Sequence, residues 1–212
     1  MAPAVSILIT GSEVLDGRVL DTNSNFICSK LNELGIVVAH VLSCTDDVAA
    51  IVRSLAFLSD SEFIIVSGGL GPTSDDLTRD AIAQFIGEPL VEDVEALAKL
   101  RAFYADRRRS MSPINQRQAL IPQNASIVPN ARGTAPGFRA QKQRVSGGTL
   151  TIFSLPGVPH ELKGMLTDTV IPHLSVMSAR TRVARSALKI FGLPESEVGQ
   201  RIEKLALSLI HI

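Results

Sequence analysis

The residues predict an α/β fold, a parallel sheet covered by helices on both faces. Short apolar runs, "VSILIT" (Val5–Thr10), "IVVAHVLS" (residues 36–43) and "EFIIVS" (residues 62–67), alternate with segments of helical apolar spacing. The runs also lack the polar alternation of half-exposed strands, as strands buried on both faces do. Connections of this length require right-handed crossovers.

The elements follow in order. From Ser24, the residues Ile27, Leu31 and Leu34 line one helix face, and Gly35 closes the segment as a C-terminal cap would. Thr45 or Asp46 is placed to cap a helix carrying Val48, Val52, Leu55 and Leu58. A third helix is expected from about Asp76 to Ile86. In the middle, Val94, Leu97, Leu100 and Tyr104 form the stripe of a helix ending in "DRRR", and a short helix is expected over residues 112–120. "PQNASIVPNARGTAPGF" has turn chemistry throughout. Residues 138–140 and 149–154 read as a hairpin about "SGG". "LPGVPHELKGML" is a turn entering a helical stretch that runs to about Met177.

Two units are expected, residues 4–178 and 183–212. The second, "RVARSALKIFGLPESEVGQRIEKLAL", reads as one strand, a Gly-Leu-Pro turn and one amphipathic helix. That is the start of a small α+β unit, too little to build its own core.

Composition narrows the function. Lys+Arg and Asp+Glu balance at 21 each, against the cationic surface that general nucleic-acid binding requires. Aromatics are 4% of the chain, too few for single-strand stacking platforms. The two cysteines, Cys28 and Cys44, lack metal-site spacing and read as buried free thiols, which fits a reducing cytoplasm. No apolar run is long enough to span a membrane.

The stretch "VSGGLGPTSDDLTRD" (residues 66–80) holds the main candidates. It follows a strand and precedes a helix, so it lies at the carboxyl edge of the sheet, where open α/β folds bind ligands. Gly68, Gly69 and Gly71 suit an oxygen-rich anion at a helix N-terminus. The stretch lacks the third glycine of the dinucleotide fingerprint and the Gly-Lys-Ser/Thr of a P-loop. Asp75 and Asp76 sit poorly with an anion unless a divalent metal, most naturally magnesium, bridges them to phosphate. The plainer reading is a cap, with Ser74 or Asp75 capping the helix and Arg79 neutralising the pair. Asp80, four residues past Asp76, adds repulsion that also calls for a cation. Asp46 and Asp47 open the next helix on the same edge, as dipole-compensating caps or as ligands. "GSEVLDGRVLDTNS" reaches that edge with Ser12, Glu13, Asp21, Thr22 and Asn23, and the later turns add Arg132, Thr134, His160 and Glu161.

At this point the chain resembles a known family. "GSEVLDGRVLDTNSNFICSKLNELGI", "GGLGPTSDDLTRDAIA", "SMSPINQRQALIP", "NARGTAPGF" and "LPGVPHEL" occur in the order found in CinA-type (competence/damage-inducible protein A) proteins. They resemble the amino-terminal domain, which is related to the MogA/MoaB molybdopterin-binding domain. The similarity covers about residues 5–175. The first turn departs from the usual pattern at Ser12 and Val14 but keeps Glu13, and Thr45 stands where glycine is common.

The resemblance implies a three-layer α/β/α fold with a mostly parallel sheet. It implies a metal-dependent pyrophosphatase splitting ADP-ribose into AMP and ribose 5-phosphate. Asp76 and Asp46 would be catalytic, and Asp76, Asp75 and Asp46 would hold magnesium or a similar ion. Gly68, Gly69, Gly71, Thr73, Glu13, Asn23, Asn130, Gly133, Thr134, Pro156 and Gly157 would contact the nucleotide. The rival reading is a molybdopterin-binding or molybdopterin-adenylylating protein. A third is a non-catalytic partner in competence or repair, which the family name suggests and these residues do not. A homodimer or higher homo-oligomer is expected, with no nucleic acid and no membrane. Longer relatives add a nicotinamide-mononucleotide deamidase domain, which residues 1–212 do not contain, so that activity is not expected here.

Overall fold

Four parallel strands form the centre of the molecule, and two antiparallel strands extend it. The computed structural model describes residues 4–144, 147–177 and 189–203. In chain order, β1 (Val5–Thr10), β2 (Val38–Cys44), β3 (Phe63–Ser67), β7 (Gly137–Gln143) and β8 (Thr149–Leu155) join β6 (Ser126–Val128) in the order β2-β1-β3-β8-β7-β6. The β2, β1, β3 and β8 strands are mutually parallel; β7 runs antiparallel to β8 and β6 antiparallel to β7.

The layers follow from which side each strand residue faces. Val5, Ile7, Ile9, Phe63 and Ile65 pack on one side under α2 (Thr22–Glu33), α6 (Pro159–Met165) and α7 (Ile171–Met177), through Ile27, Leu31, Leu162 and Leu174. Leu8, Ile64, Val66 and Ile152 pack on the other under α3 (Val48–Phe57) and α4 (Thr78–Ile86), through Ile51, Leu55, Ala81 and Ile82. This is the expected three-layer α/β/α arrangement. The full burial of β1 and β3 explains their unbroken apolar runs. β2 is the exception. As an edge strand it leaves Ala39, His40 and Val41 exposed, although its composition reads as buried.

Several local expectations are corrected. Asp47 caps α3 by accepting from the Ala50 N–H at 2.8 Å, not Thr45 or Asp46, because Asp46 is turned toward the β1 loop. α4 starts at Thr78, and neither Ser74 nor Asp75 caps it; the N-cap is Leu77, with no side-chain bond. The segment at 112–120 is a 3-10 helix (Pro113–Ala119). The turn-rich middle also hides three short strands, β6 and the antiparallel pair β4 (Leu90–Glu92) and β5 (Leu120–Pro122), beside α5 (Val94–Asp106). The hairpin is present as β7 and β8, with Gly147 and Gly148 at positive φ. Between α6 and α7 the chain makes a π-helical turn, Leu166–Val170. Of the second unit, helix α8 (Glu195–Glu203) is present; the expected strand falls mainly at residues 183–188, outside the described residues. Cys44 is buried, but Cys28 is only half-buried; burial raises both thiol pKa values, so neither is an activated nucleophile.

Candidate functional site at the switch point of the sheet

From β1 the chain moves outward to β2, then crosses back past β1 to β3. The crevice where the order reverses, at the carboxyl ends of β1 and β3, is the place an open α/β sheet offers a ligand. A cavity of about 500 Å³ lies there. Every parallel strand contributes to its wall: Thr10, Gly11 and Glu13 at the end of β1 and beyond it, Asp46 after β2, Gly68–Pro72, Asp75 and Asp76 after β3, and Pro156, Gly157, Val158 and Glu161 after β8.

The glycine loop is held from within. Gly68, at φ 114°, lies so close to β1 that a Cβ would fall 2.2 Å from the Thr10 carbonyl oxygen. Gly69, at φ 63°, lies against Thr78, whose Oγ1 would be 2.2 Å from a Cβ. Both positions require glycine sterically. The Gly68 N–H donates to Leu155 O at 3.0 Å and the Gly71 N–H to Asp76 Oδ1 at 2.7 Å. Those two amides stitch the loop together rather than converging on an anion. Arg79 grips the loop from behind. Its buried guanidinium donates to Leu70 O at 2.5 Å and Gly71 O at 3.1 Å. Burial first, then the nearby Arg117 charge, brings its pKa down to about 10, so it stays charged at neutral pH. Among the described residues Arg79 makes no direct ion pair with Asp75 or Asp76, although the charges of Asp80 and Asp76 favour its charged form. The ion partner of Asp80 is Arg117, at 2.5 Å, which also donates to Thr73 O.

Asp76 precedes α4 and folds back over the loop. Its Oδ2 accepts from the Thr73 N–H at 2.8 Å and the Thr73 hydroxyl at 2.5 Å. Asp75 is exposed. The neighbouring Thr73 hydroxyl gives its single proton to Asp76 and leaves Asp75 without it. Asp46 is anchored separately, its Oδ2 accepting from the Ser12 N–H at 2.8 Å. Glu161 is oriented by Asn130, whose Nδ2 donates to it at 2.6 Å and also to Ala135 O at 2.9 Å.

Eleven of the candidate residues meet in this cavity: Glu13, Asp46, Gly68, Gly69, Gly71, Asp75, Asp76, Thr134, Pro156, Gly157 and Glu161. Four of the expected nucleotide contacts do not line it. Asn23 is buried beneath, its Nδ2 donating to Ser67 Oγ and Gly157 O, where it ties β3 to the β8 loop. Thr73 lies outside, bound to Asp76. Asn130 and Gly133 line a neighbouring cavity that shares Thr134 with this one. His160 is also absent from the wall; its carbonyl accepts from Arg132. Gln118 was not singled out by sequence, yet it lines the cavity, is 3% exposed, and its Oε1 is buried without a hydrogen-bond partner. Its neighbour Arg117 pairs with Asp80, so the "NQRQA" block serves this site through two successive side chains.

The electrostatics are one-sided. Glu13, Asp46, Asp75, Asp76 and Glu161 line the cavity, and among the described residues no Lys, Arg or His does. Among the described residues, no three carboxylate, thiol or imidazole side chains already converge as a closed metal cage. An open magnesium site would ask less of the protein, one or two carboxylates, with substrate phosphate and water completing the shell.

A mostly parallel sheet with helices on both faces and a ligand cavity at its switch point defines an α/β binding or catalytic domain. The probable molybdopterin binding domain family matches residues 6–176. CinA-like proteins are similar along nearly the whole chain: 39% identity in Desulfosudis oleivorans and 40% in Geobacter sulfurreducens, each over 96% of this chain and 49% of the relative. The chain thus spans about half the length of these curated relatives. CinA from Thermoplasma acidophilum, described as of unknown function, superposes with a TM-score of 0.72 at 31% identity, over 82% of this chain and 98% of that one. MoaB from Thermus thermophilus, a molybdopterin biosynthesis enzyme, shares the fold with a TM-score of 0.53 at 21% identity, over 85% of this chain and 99% of that one. The chain belongs to the probable molybdopterin binding domain family and is of the CinA type, with a fold that MoaB shares.

Proposed function

We propose that the domain is a metal-dependent pyrophosphatase that hydrolyses ADP-ribose, or a similar diphosphate nucleotide, to AMP and ribose 5-phosphate. The observation that carries this reading is the cavity wall itself, five carboxylates without a basic side chain at the ligand edge of the sheet. A diphosphate enters such a cavity only with cations, and a carboxylate wall that collects cations suits one. Asp46 and Asp76 would hold the ion, with Asp75 at the rim. When bound, the metal would neutralise charge on phosphorus and lower the pKa of a bound water. Glu161, held by the Asn130 amide, would accept the proton of the attacking water, whose oxygen adds to phosphorus as the bridging oxygen leaves. The Gln118 carbonyl is placed to accept a hydroxyl or N–H from the ligand, which would supply its missing partner.

Incubation with ADP-ribose and a panel of divalent metals tests the reading. AMP should appear only with metal, and its absence from well-folded protein overturns the proposal. The second reading is a molybdopterin-binding or adenylylating protein, favoured by the description of the matched family and the fold shared with MoaB. Tight pterin binding without ADP-ribose turnover would select it. Two free thiols suit a reducing compartment such as the cytoplasm, and among the described residues no helix is long and apolar enough to cross a membrane. Val41 and Phe57, 49% and 66% exposed beside the β2 edge, suit burial against a second copy of the chain.

A further inference from the structure

The second cavity, about 320 Å³, lies between α5 and the 129–136 loop. Its character is opposite to the first. Ala96, Leu100, Ile127 and Pro129 make apolar walls, and the half-buried ring of Phe103 forms one side. Lys99 stands at its rim, exposed and in ion pair with no carboxylate among the described residues. The Arg107 guanidinium lies 3.5 Å from the Phe103 ring centroid, a stacked contact that holds the ring.

The two cavities are neighbours by construction. Thr134 lines both. Asn130 lines the apolar cavity while its amide fixes Glu161 in the acidic one, at 2.6 Å. Asn130 Oδ1 accepts from the Arg132 N–H at 3.0 Å, so this side chain is spent on holding the partition and not on a ligand. An apolar slot with an aromatic wall and a cation at its mouth suits a planar heteroaromatic ring carrying phosphate. A carboxylate cavity beside it suits the rest of a metal-bound diphosphate.

We infer that the cavity between α5 and the 129–136 loop is the subsite for the planar ring of the diphosphate ligand, with Phe103 as its aromatic wall and Lys99 meeting phosphate at its mouth. The inference rests on the reading that the acidic cavity takes a metal-bound diphosphate. It adds the α5 helix, which bears none of the carboxylates of that cavity, and makes the ring a determinant of selectivity.

The test is calorimetric titration of the full chain with ADP, pyrophosphate and 6-hydroxymethylpterin diphosphate, each with magnesium. The variants are Phe103→Ala and Lys99→Glu, both at partly or fully exposed positions of α5, with folding checked by circular dichroism. Phe103→Ala should weaken ADP binding about tenfold or more and leave pyrophosphate within about twofold. Lys99→Glu should weaken ADP more than pyrophosphate. If the pterin diphosphate binds more tightly than ADP with the same dependence on Phe103, the subsite stands and the function moves to the pterin reading. ADP binding unchanged in both folded variants overturns the subsite and leaves the diphosphate site standing. Failure of the wild-type chain to bind any of the three overturns both.

Discussion

Asp76 Oδ1 accepts the Gly71 N–H at 2.7 Å, so the carboxylate that most invites a metal is also the clasp of the glycine loop. Its other oxygen takes the Thr73 N–H and hydroxyl. Asp76→Asn keeps one acceptor oxygen and puts an amide where two donors already point. We expect a stability loss of about 1–3 kcal/mol by urea unfolding, together with loss of ADP-ribose hydrolysis. Full stability in Asp76→Asn would contradict the clasp, and unchanged turnover would contradict the mechanism.

Arg79 is the counterpart of that clasp on the buried side. Arg79→Met keeps much of the aliphatic stem but strands the Leu70 and Gly71 carbonyls that the guanidinium now satisfies. The expected cost is about 2–4 kcal/mol of unfolding free energy, because buried acceptors lose charge-assisted bonds without gaining water. Arg79→Lys, which offers a compact ammonium in place of a fork, should recover only part of it.

The strands β1 and β3 and the ligand edge were legible because full burial writes itself as an unbroken apolar run, and because the glycine turn has few other uses. The exposed edge strand β2 escaped that logic, since Val41 is apolar and yet half out in solvent. β4, β5 and β6 are three residues each, too short for any period to emerge from turn-rich sequence. The carboxylates Glu13, Asp46 and Asp76 could be placed on one edge from strand order alone. Which hydrogen bond each makes could not, because a helix start two residues later than expected turns Asp76 from the first helical residue into a clasp. Gln118 left no signal. It sits in a 3-10 segment that leads into β5, far in sequence from the parallel strands whose ends form the cavity, and only tertiary packing brings it there.

Gly68→Ala tests whether the loop glycines are there for ligand or for fit. A methyl group at φ 114° would meet the Thr10 carbonyl oxygen at 2.2 Å, backbone against backbone, with no flexible atom to yield. A loss of about 3 kcal/mol or more is expected in urea unfolding, with no ligand present. A near-neutral effect would mean that β1 and β3 separate more readily than their pairing suggests.

His173 gives the chain a pH dependence away from the site. Burial, and secondly the Arg139 charge 3.5 Å from its Nδ1, lower its pKa from the ordinary 6.5. The folded chain therefore binds this proton less readily than the unfolded chain. Between the two pKa values the unfolded state holds more protons, so stability is fully present above about pH 6.5 and declines as pH falls toward the folded value. His173→Phe keeps an aromatic ring against Phe63 and Phe153 and removes the titration. The melting temperature of the wild type should fall more steeply than that of His173→Phe between pH 6.5 and 5. Parallel curves would assign the acid sensitivity elsewhere.

Asp46 separates charge from architecture better than Asp76 can. One of its oxygens holds the Ser12 N–H at 2.8 Å, and an asparagine oxygen can do the same. Asp46→Asn should therefore melt within about 2 °C of wild type. What it removes is a negative charge from a wall that contains no positive one. If Asp46 binds the metal, the magnesium concentration for half-maximal ADP-ribose hydrolysis should rise about tenfold or more, and saturating metal should restore part of the rate. A fall in rate that no magnesium concentration relieves would assign Asp46 to the reacting water instead. A metal profile and rate both identical to wild type would remove Asp46 from the chemistry and leave it as the residue that holds the β1 loop in place.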